Sequence, residues 1–231
     1  MSETAIRKGR THNAKGAREA ILNAAEKAFS ERGFNGARID DIAAAAGYNK
    51  GLIFRYFGDK LRLYLEVIQQ VDVATRGMQT RVVAALMEEE NFHNPERVAS
   101  LLKALIGEIF DYYLQNPRVM HILQWEMAEG WQNYSQIAEQ IDATDNEKIK
   151  PLMAQLQKAG LLRSTFDPLA QIIMATFQPI LVLALIPIIP MFFASGQRSV
   201  PDMARARDFV IEFVAGGLLT CPSNIHSQSH E

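Results

Sequence analysis

The stretch "DDIAAAAGYNKGLIFRYFGDK", Asp40 to Lys60, decides how this chain is read. Ile39, Ile42, Ala43 and Ala46 recur at three and four residues, which predicts a short helix over about Arg38–Ala45. Gly47 breaks it. Asn49 suits an N-cap, because its short side-chain oxygen accepts from an unpaired N–H of the next first turn. A second helix is expected over Lys50–Phe57, stopped by Gly58-Asp59, with Asp59 capping a third that opens at Lys60. Two short helices joined by a Gly-containing turn make a helix-turn-helix, whose second helix offers its N-terminal residues to base edges in the major groove.

The side chains on this stretch suit that task. Lys50 and Arg55 bring charge, Tyr48 and Tyr56 bring hydroxyls, and Gly51 lets a backbone come close. Asn49 leaves helix N–H groups pointing outward, where a phosphate is favoured. Lys60 adds a cation at the next helix start and Arg38 one at the preceding start. Ile53 and Phe57 read as core. The bland alternative is that the remaining rings are core as well, since any helical protein can hold two short helices around a glycine.

Outward from this point the pattern stays helical. Almost no segment alternates with period two, so the fold class is all-α: a small N-terminal helix-turn-helix domain followed by a larger helical domain. Residues 1–16 are expected to be a flexible basic arm. A helix follows over about Ala17–Arg32, ended by Gly33. The helix-turn-helix domain is placed at residues 17–62, the larger helical domain at 63–221, and a disordered tail at 222–231. In the larger domain one long helix is expected from Lys60 to about Glu89. Further helices are expected after Asn94-Pro95, after Asn116-Pro117, over 135–160 with Pro151 inside, from Asp167-Pro168 to about Ile186, and over Met203–Leu219.

Charge is distributed unevenly. Residues 1–70 hold 12 Lys and Arg against 8 Asp and Glu, a net of +4; residues 71–231 hold 12 against 18, a net of −6. One part suits an anionic partner and the other does not. A basic tail that merely solubilises gives the same totals. The single cysteine, Cys221, allows no disulfide within the chain and fits a reducing, cytoplasmic compartment. No apolar segment follows the N-terminal basic residues, so no secretory signal is expected.

Gln171–Gln197 carries no charge and is long enough to span a bilayer. Pro179, Pro187 and Pro190 interrupt it, and each removes a backbone donor that lipid cannot replace. A helix buried at a subunit interface explains the same composition and is preferred; a membrane-associated helical protein is the alternative. No HExxH, nucleophile elbow or Gly-rich phosphate loop is present, so no enzyme is expected. His12, His93, His226 and His230 are scattered. His121 shares a helix with Glu126 and Glu129, and reads as a pocket or surface group rather than a metal ligand. Neither cofactor nor metal is expected.

Residues 17–65 resemble the DNA-binding domain of the TetR family of bacterial transcriptional regulators. The stretches "AILNAAEKAFSERGF", "IDDIAAAAG" and "NKGLIFRYFGDKLRLYLEV" carry the likeness. It implies DNA contacts at Lys50, Gly51, Arg55, Tyr56 and Lys60, with Arg38, Tyr48 and Asn49 beside them. Ala37 stands where the family often has a Thr cap, with Arg38 next to it in compensation. Phe54 stands where a tyrosine is common, so one phosphate contact is lost. Leu52 replaces a small polar residue and can meet a thymine methyl.

The resemblance further implies a homodimer on a palindromic DNA operator, with the last two helices as interface. Ile180, Leu183, Phe209, Phe213, Gly216 and Gly217 are the candidates. It also implies a small-molecule effector inside the larger domain. Aromatic residues of the middle helices suggest an apolar or aromatic one, lined by Phe110, Tyr113, His121, Trp125, Trp131 and Phe177. For each of these the alternative is ordinary core. The same machinery serves a repressor or an activator.

Overall fold

In the computed structural model the structure describes residues 3–88, 94–138, 143–165, 167–186 and 202–220. Ten helices occupy them: α1 Glu3–Gly36, α2 Ile39–Ala46, α3 Lys50–Phe57, α4 Lys60–Leu86, α5 Pro95–Gln115, α6 Pro117–Ala128, α7 Tyr134–Ala138, α8 Ala143–Lys158, α9 Pro168–Leu185 and α10 Met203–Leu218. Among the described residues there is no strand; one isolated antiparallel bridge pairs Leu162 with Leu219. Cys221, Pro187, Pro190, His93 and the tail at 222–231 lie outside the described residues, as does the side chain of His12. Among the described residues no helix is long and apolar enough to cross a membrane.

The basic stretch at the N-terminus is helical from Glu3 onward, continuous with the helix expected from Ala17. Its Ala, Arg and Lys residues are strong helix formers, and they outweigh Gly9 and Gly16. The single helix expected over 135–160 is two, α7 and α8.

The chain forms two units. One comprises Met1–Val73 and Asn116–Ile141, the other Ala74–Gln115 and Asp142–Glu231. The helix-turn-helix therefore folds together with α6 and α7, which sequence reasoning had assigned to the larger domain.

The first unit, the head, is built on an apolar cluster drawn from α1, α2, α3, α4 and α6. Ile21, Leu22, Ala25 and Phe29 come from α1, Ile39, Ile42 and Ala43 from α2, and Ile53 and Phe57 from α3. Leu63, Tyr64, Val67 and Ile68 come from α4 and Ile122 from α6. The Phe29 and Phe34 rings pack on Tyr64, with centroids at 4.7 Å and 5.1 Å, the first edge-on as ring quadrupoles favour. The α1 helix breaks at Gly33, which adopts φ 65°. The indole of Trp125 lies so close that a Cβ there would come within 2.9 Å of the ring. Trp125 also donates its Nε1–H to the Ser30 carbonyl at 3.3 Å. Two independent constraints thus require glycine. Gly33→Ala is expected to lower stability by about 2 kcal/mol, through left-handed strain plus the displaced indole, read as a drop in Tm by thermal circular dichroism.

Glu126 of α6 is completely buried in this unit. A carboxylate is tolerated there because donors surround it. Tyr64 Oη–H donates to Oε1 at 2.7 Å, Asn133 Nδ2 to Oε1 at 3.0 Å and the Tyr134 backbone N–H to Oε2 at 2.9 Å. The intervening turn is tight: Gly130 has φ 74° and Trp131, unusually for a bulky residue, φ 62°.

In the second unit α5 packs on α9 and α10, and α9 also on α8. Val98, Leu102, Ile106, Ile109, Phe110 and Tyr113 form the buried stripe of α5. Gly107 allows α10 to come near. A Cβ there would sit 2.5 Å from Arg207, whose guanidinium donates twice to Asp111, at 2.8 Å and 2.9 Å. That paired geometry keeps the guanidinium more firmly protonated than usual. Lys103 with Glu212 and Arg81 with Glu108 add ion pairs on the exposed side.

Candidate nucleic-acid interface

The helix-turn-helix forms as its local signals dictate. Gly47 takes φ 74°, and its N–H, with that of Tyr48, returns to the last carbonyls of α2. Asn49 Oδ1 then accepts from the Leu52 N–H at 2.8 Å and starts α3. Asp59 Oδ1 accepts from the Arg62 N–H at 2.8 Å and starts α4 in the same way. Removing a cap of this kind costs about 1 kcal/mol. Asn49→Ala is expected to lose that amount in urea denaturation while leaving the overall helix content unchanged.

Within α3 the helical period sorts the residues. Ile53 and Phe57 are buried, and Leu52 and Tyr56 are half-buried against the same core, as is Tyr48 before them. Gly51 and Arg55 lie opposite Ile53, at about 160° around the axis, and are exposed. Lys50 and Phe54 stand on the flank between, exposed too. Cations lie over rings here: Lys50 Nζ is 5.9 Å from the Phe54 centroid and the Arg55 guanidinium 5.4 Å from that of Tyr56. Gly51 has a local use as well, since a Cβ there would come within 3.3 Å of the capping Asn49 oxygen.

The cap of α2 and the side chain of Lys60 are placed otherwise than the sequence suggested. The N-cap position of α2 is Arg38, which makes no side-chain cap; Ala37 is buried in the core and is not the cap. Arg38 itself is exposed at the start of α2. Lys60 is half-buried and turned back toward α1. Its ammonium sits 4.7 Å above the Phe34 ring and 3.5 Å from the Asn35 carbonyl oxygen. Burial lowers its pKa from the ordinary value, with Glu129 opposing that shift.

The effector candidates do not gather in one unit. His121, Trp125 and Trp131 belong to the first, where Trp125 covers Gly33, Trp131 packs edge-on against Tyr134 at 5.5 Å and His121 is exposed. Phe110, Tyr113 and Phe177 belong to the second; the first two are buried and Phe177 is half-buried.

The interface candidates also divide. Ile180 and Leu183 are buried inside the second unit, so they serve its own core. Phe209 and Phe213 are exposed by 59% and 57% and stack on each other at 5.7 Å. Gly216 and Gly217 continue their face, with open space where a Cβ would stand. Among the described side chains of α9 the exposed large apolar ones are Ile173, Met174, Leu181 and Leu185, none of which the sequence reading had selected.

The comparisons fit this arrangement. Residues 21–67 match the family described as "Bacterial regulatory proteins, tetR family", and residues 102–215 the "Tetracyclin repressor-like, C-terminal domain". The HTH-type transcriptional repressor NicS of Pseudomonas putida is 28% identical over 158 residues, covering 67% of this chain and 69% of that protein. The HTH-type transcriptional repressor SCO4008 of Streptomyces coelicolor is 29% identical over 109 residues, 47% of this chain and 48% of its own length. Among solved structures, SmeT, the repressor of the Stenotrophomonas maltophilia multidrug efflux pump SmeDEF, shares the fold. Its TM-score is 0.61 at 19% identity, covering 93% of this chain and 96% of that one. Matched in both its helix-turn-helix and its C-terminal helices, the chain belongs to the TetR family of bacterial transcriptional regulators.

Proposed function

We propose that the chain is a homodimeric repressor that binds a palindromic DNA operator through α3 and leaves it when a small effector binds the second unit. The observation that carries the reading is the outward face of α3. Lys50, Gly51, Phe54 and Arg55 are exposed together on a helix whose N-terminus is fixed by the Asn49 cap. Donors at the N-terminal end of a rigid helix are what major-groove readout requires. A helix of two turns reaches few bases, so two copies related by a twofold axis supply the missing contacts. The apolar residues that α9 and α10 leave exposed support that pairing. The names of NicS and SCO4008 favour repression over activation. The aromatic residues of the second unit, half-buried Phe177 among them, suit an apolar or aromatic effector, whose differential affinity for two conformations would shift DNA binding.

The test is selection of bound duplexes from a random DNA pool by the purified chain. An enriched inverted repeat is the expected result. Binding that is abolished by moderate salt, with no sequence enriched, would overturn the reading, because it would reduce the interaction to phosphate neutralisation.

A further inference from the structure

Two carboxylates open α2, and they face in different directions. Asp41 Oδ2 accepts from Arg32 Nη1 at 2.7 Å and ties α2 back to α1. Asp40 reaches across the turn: Lys50 Nζ lies 3.0 Å from its Oδ1 and 3.1 Å from its Oδ2. Lys50 is the first residue of α3, and Phe54 flanks its ammonium on the next turn. The first cation of the reading helix is therefore held between a carboxylate and a ring, while remaining open to solvent.

An exposed ion pair of this sort adds little to stability. Its consequence lies in what it does to an approaching duplex. Phosphate contacts give affinity without sequence information, and each one strengthens correct and incorrect sites alike. An ammonium already neutralised by a carboxylate about 3 Å away gains little from a phosphate, which also meets the carboxylate's repulsion. Yet the ammonium has three N–H donors, and a carboxylate on one side leaves donors available for guanine O6 or N7. The carboxylate itself accepts from cytosine N4. We infer that Asp40 is a specificity-determining residue of the DNA contact: it positions Lys50 for base edges and withholds it from indiscriminate phosphate binding. This rests on the helix-turn-helix reading above.

The test compares the wild-type chain, Asp40→Asn, Lys50→Met and the double variant. Fluorescence anisotropy is read on a selected duplex and on a scrambled duplex of equal length, across a salt series. Asp40→Asn is expected to bind the scrambled duplex about 5- to 10-fold more tightly at low salt and to steepen its salt slope by about 0.9. The preference for the selected duplex should narrow about tenfold. In the Lys50→Met background the Asp40→Asn change should do neither. An unchanged affinity and slope for Asp40→Asn would overturn the inference. So would an effect that persists undiminished in the Lys50→Met background, since Asp40 would then act as bulk negative charge. A wild-type chain that binds neither duplex at the lowest salt brings down the DNA reading itself, a result distinct from a wild-type chain that binds while Asp40→Asn behaves like it.

Discussion

A chain carrying Phe213→Asp is expected to run as a monomer in size-exclusion chromatography with light scattering, and to bind its operator at least about 100-fold more weakly. Phe213 and Phe209 lie one turn apart on α10 and stack with their planes 20° apart, more than half exposed. The unit that contains them does not need the rings for its core, which Val210, Val214, Ala215 and Leu218 supply. Losing an aromatic anchor from an interface costs about 2 kcal/mol or more. Burying an unpaired carboxylate in its place adds several kcal/mol. Twofold symmetry applies both penalties twice. About 4 kcal/mol already shifts a dissociation constant by roughly a thousandfold, so half-sites would be read singly. Because the position is exposed, far-ultraviolet circular dichroism should stay that of the wild-type chain. A variant that remains dimeric and binds undiminished would remove the α9–α10 face from the dimer reading.

The second large effect is expected at Glu126. Replacing it with alanine leaves the Tyr64 hydroxyl, the Asn133 amide and the Tyr134 N–H without their acceptor, all in the interior of the head. Each stranded donor costs about 1–3 kcal/mol before any relaxation, so a loss of about 3–4 kcal/mol is expected in urea denaturation at neutral pH. Tyr64→Phe is the milder companion, at about 1–2 kcal/mol, since it removes one of the three donors. It also separates an alkaline effect. Burial, first, and then the bond to Glu126 push the Tyr64 hydroxyl well above its ordinary pKa of 10.0. A raised pKa means the folded state keeps a proton that the unfolded state releases. The stabilisation is therefore complete below about pH 10 and declines as pH rises beyond it. The wild-type chain should lose its stability margin over Tyr64→Phe between about pH 10 and 11. A margin constant across that range would show that the phenol titrates normally.

The head was legible in the sequence because its determinants are local. Gly47, Asn49, Gly58 and Asp59 act on residues within four positions, and all four sit where their backbone chemistry placed them. The rest depends on partners far along the chain. Glu126 and Tyr64 are separated by 62 positions, and nothing near either announces the other. Trp125 carries the same apolar signal whether it faces a ligand or, as here, covers a glycine of α1. On α9 the residues are apolar almost all round, so periodicity does not say which stripe turns inward. The choice of Ile180 and Leu183 for the core, and Met174, Leu181 and Leu185 for the outside, is made by the packing of α5, α8 and α10 against α9. Lys60 illustrates a different limit. Its position at the start of α4 was readable, but a side chain with four rotatable carbons can swing back over Phe34, and its direction is set by Phe34 and Glu129.

The return of α6 and α7 to the helix-turn-helix has a consequence for anyone who would move this DNA-reading part to another protein. Cutting the chain after Val73 would take every residue of the two reading helices yet leave Trp125 and Glu126 behind. Gly33 would lose its cover and the Tyr64 hydroxyl its acceptor. The head is thus not a portable cassette encoded by one continuous segment. A chimaera that keeps residues 1–73 together with 116–141 carries that interior with it.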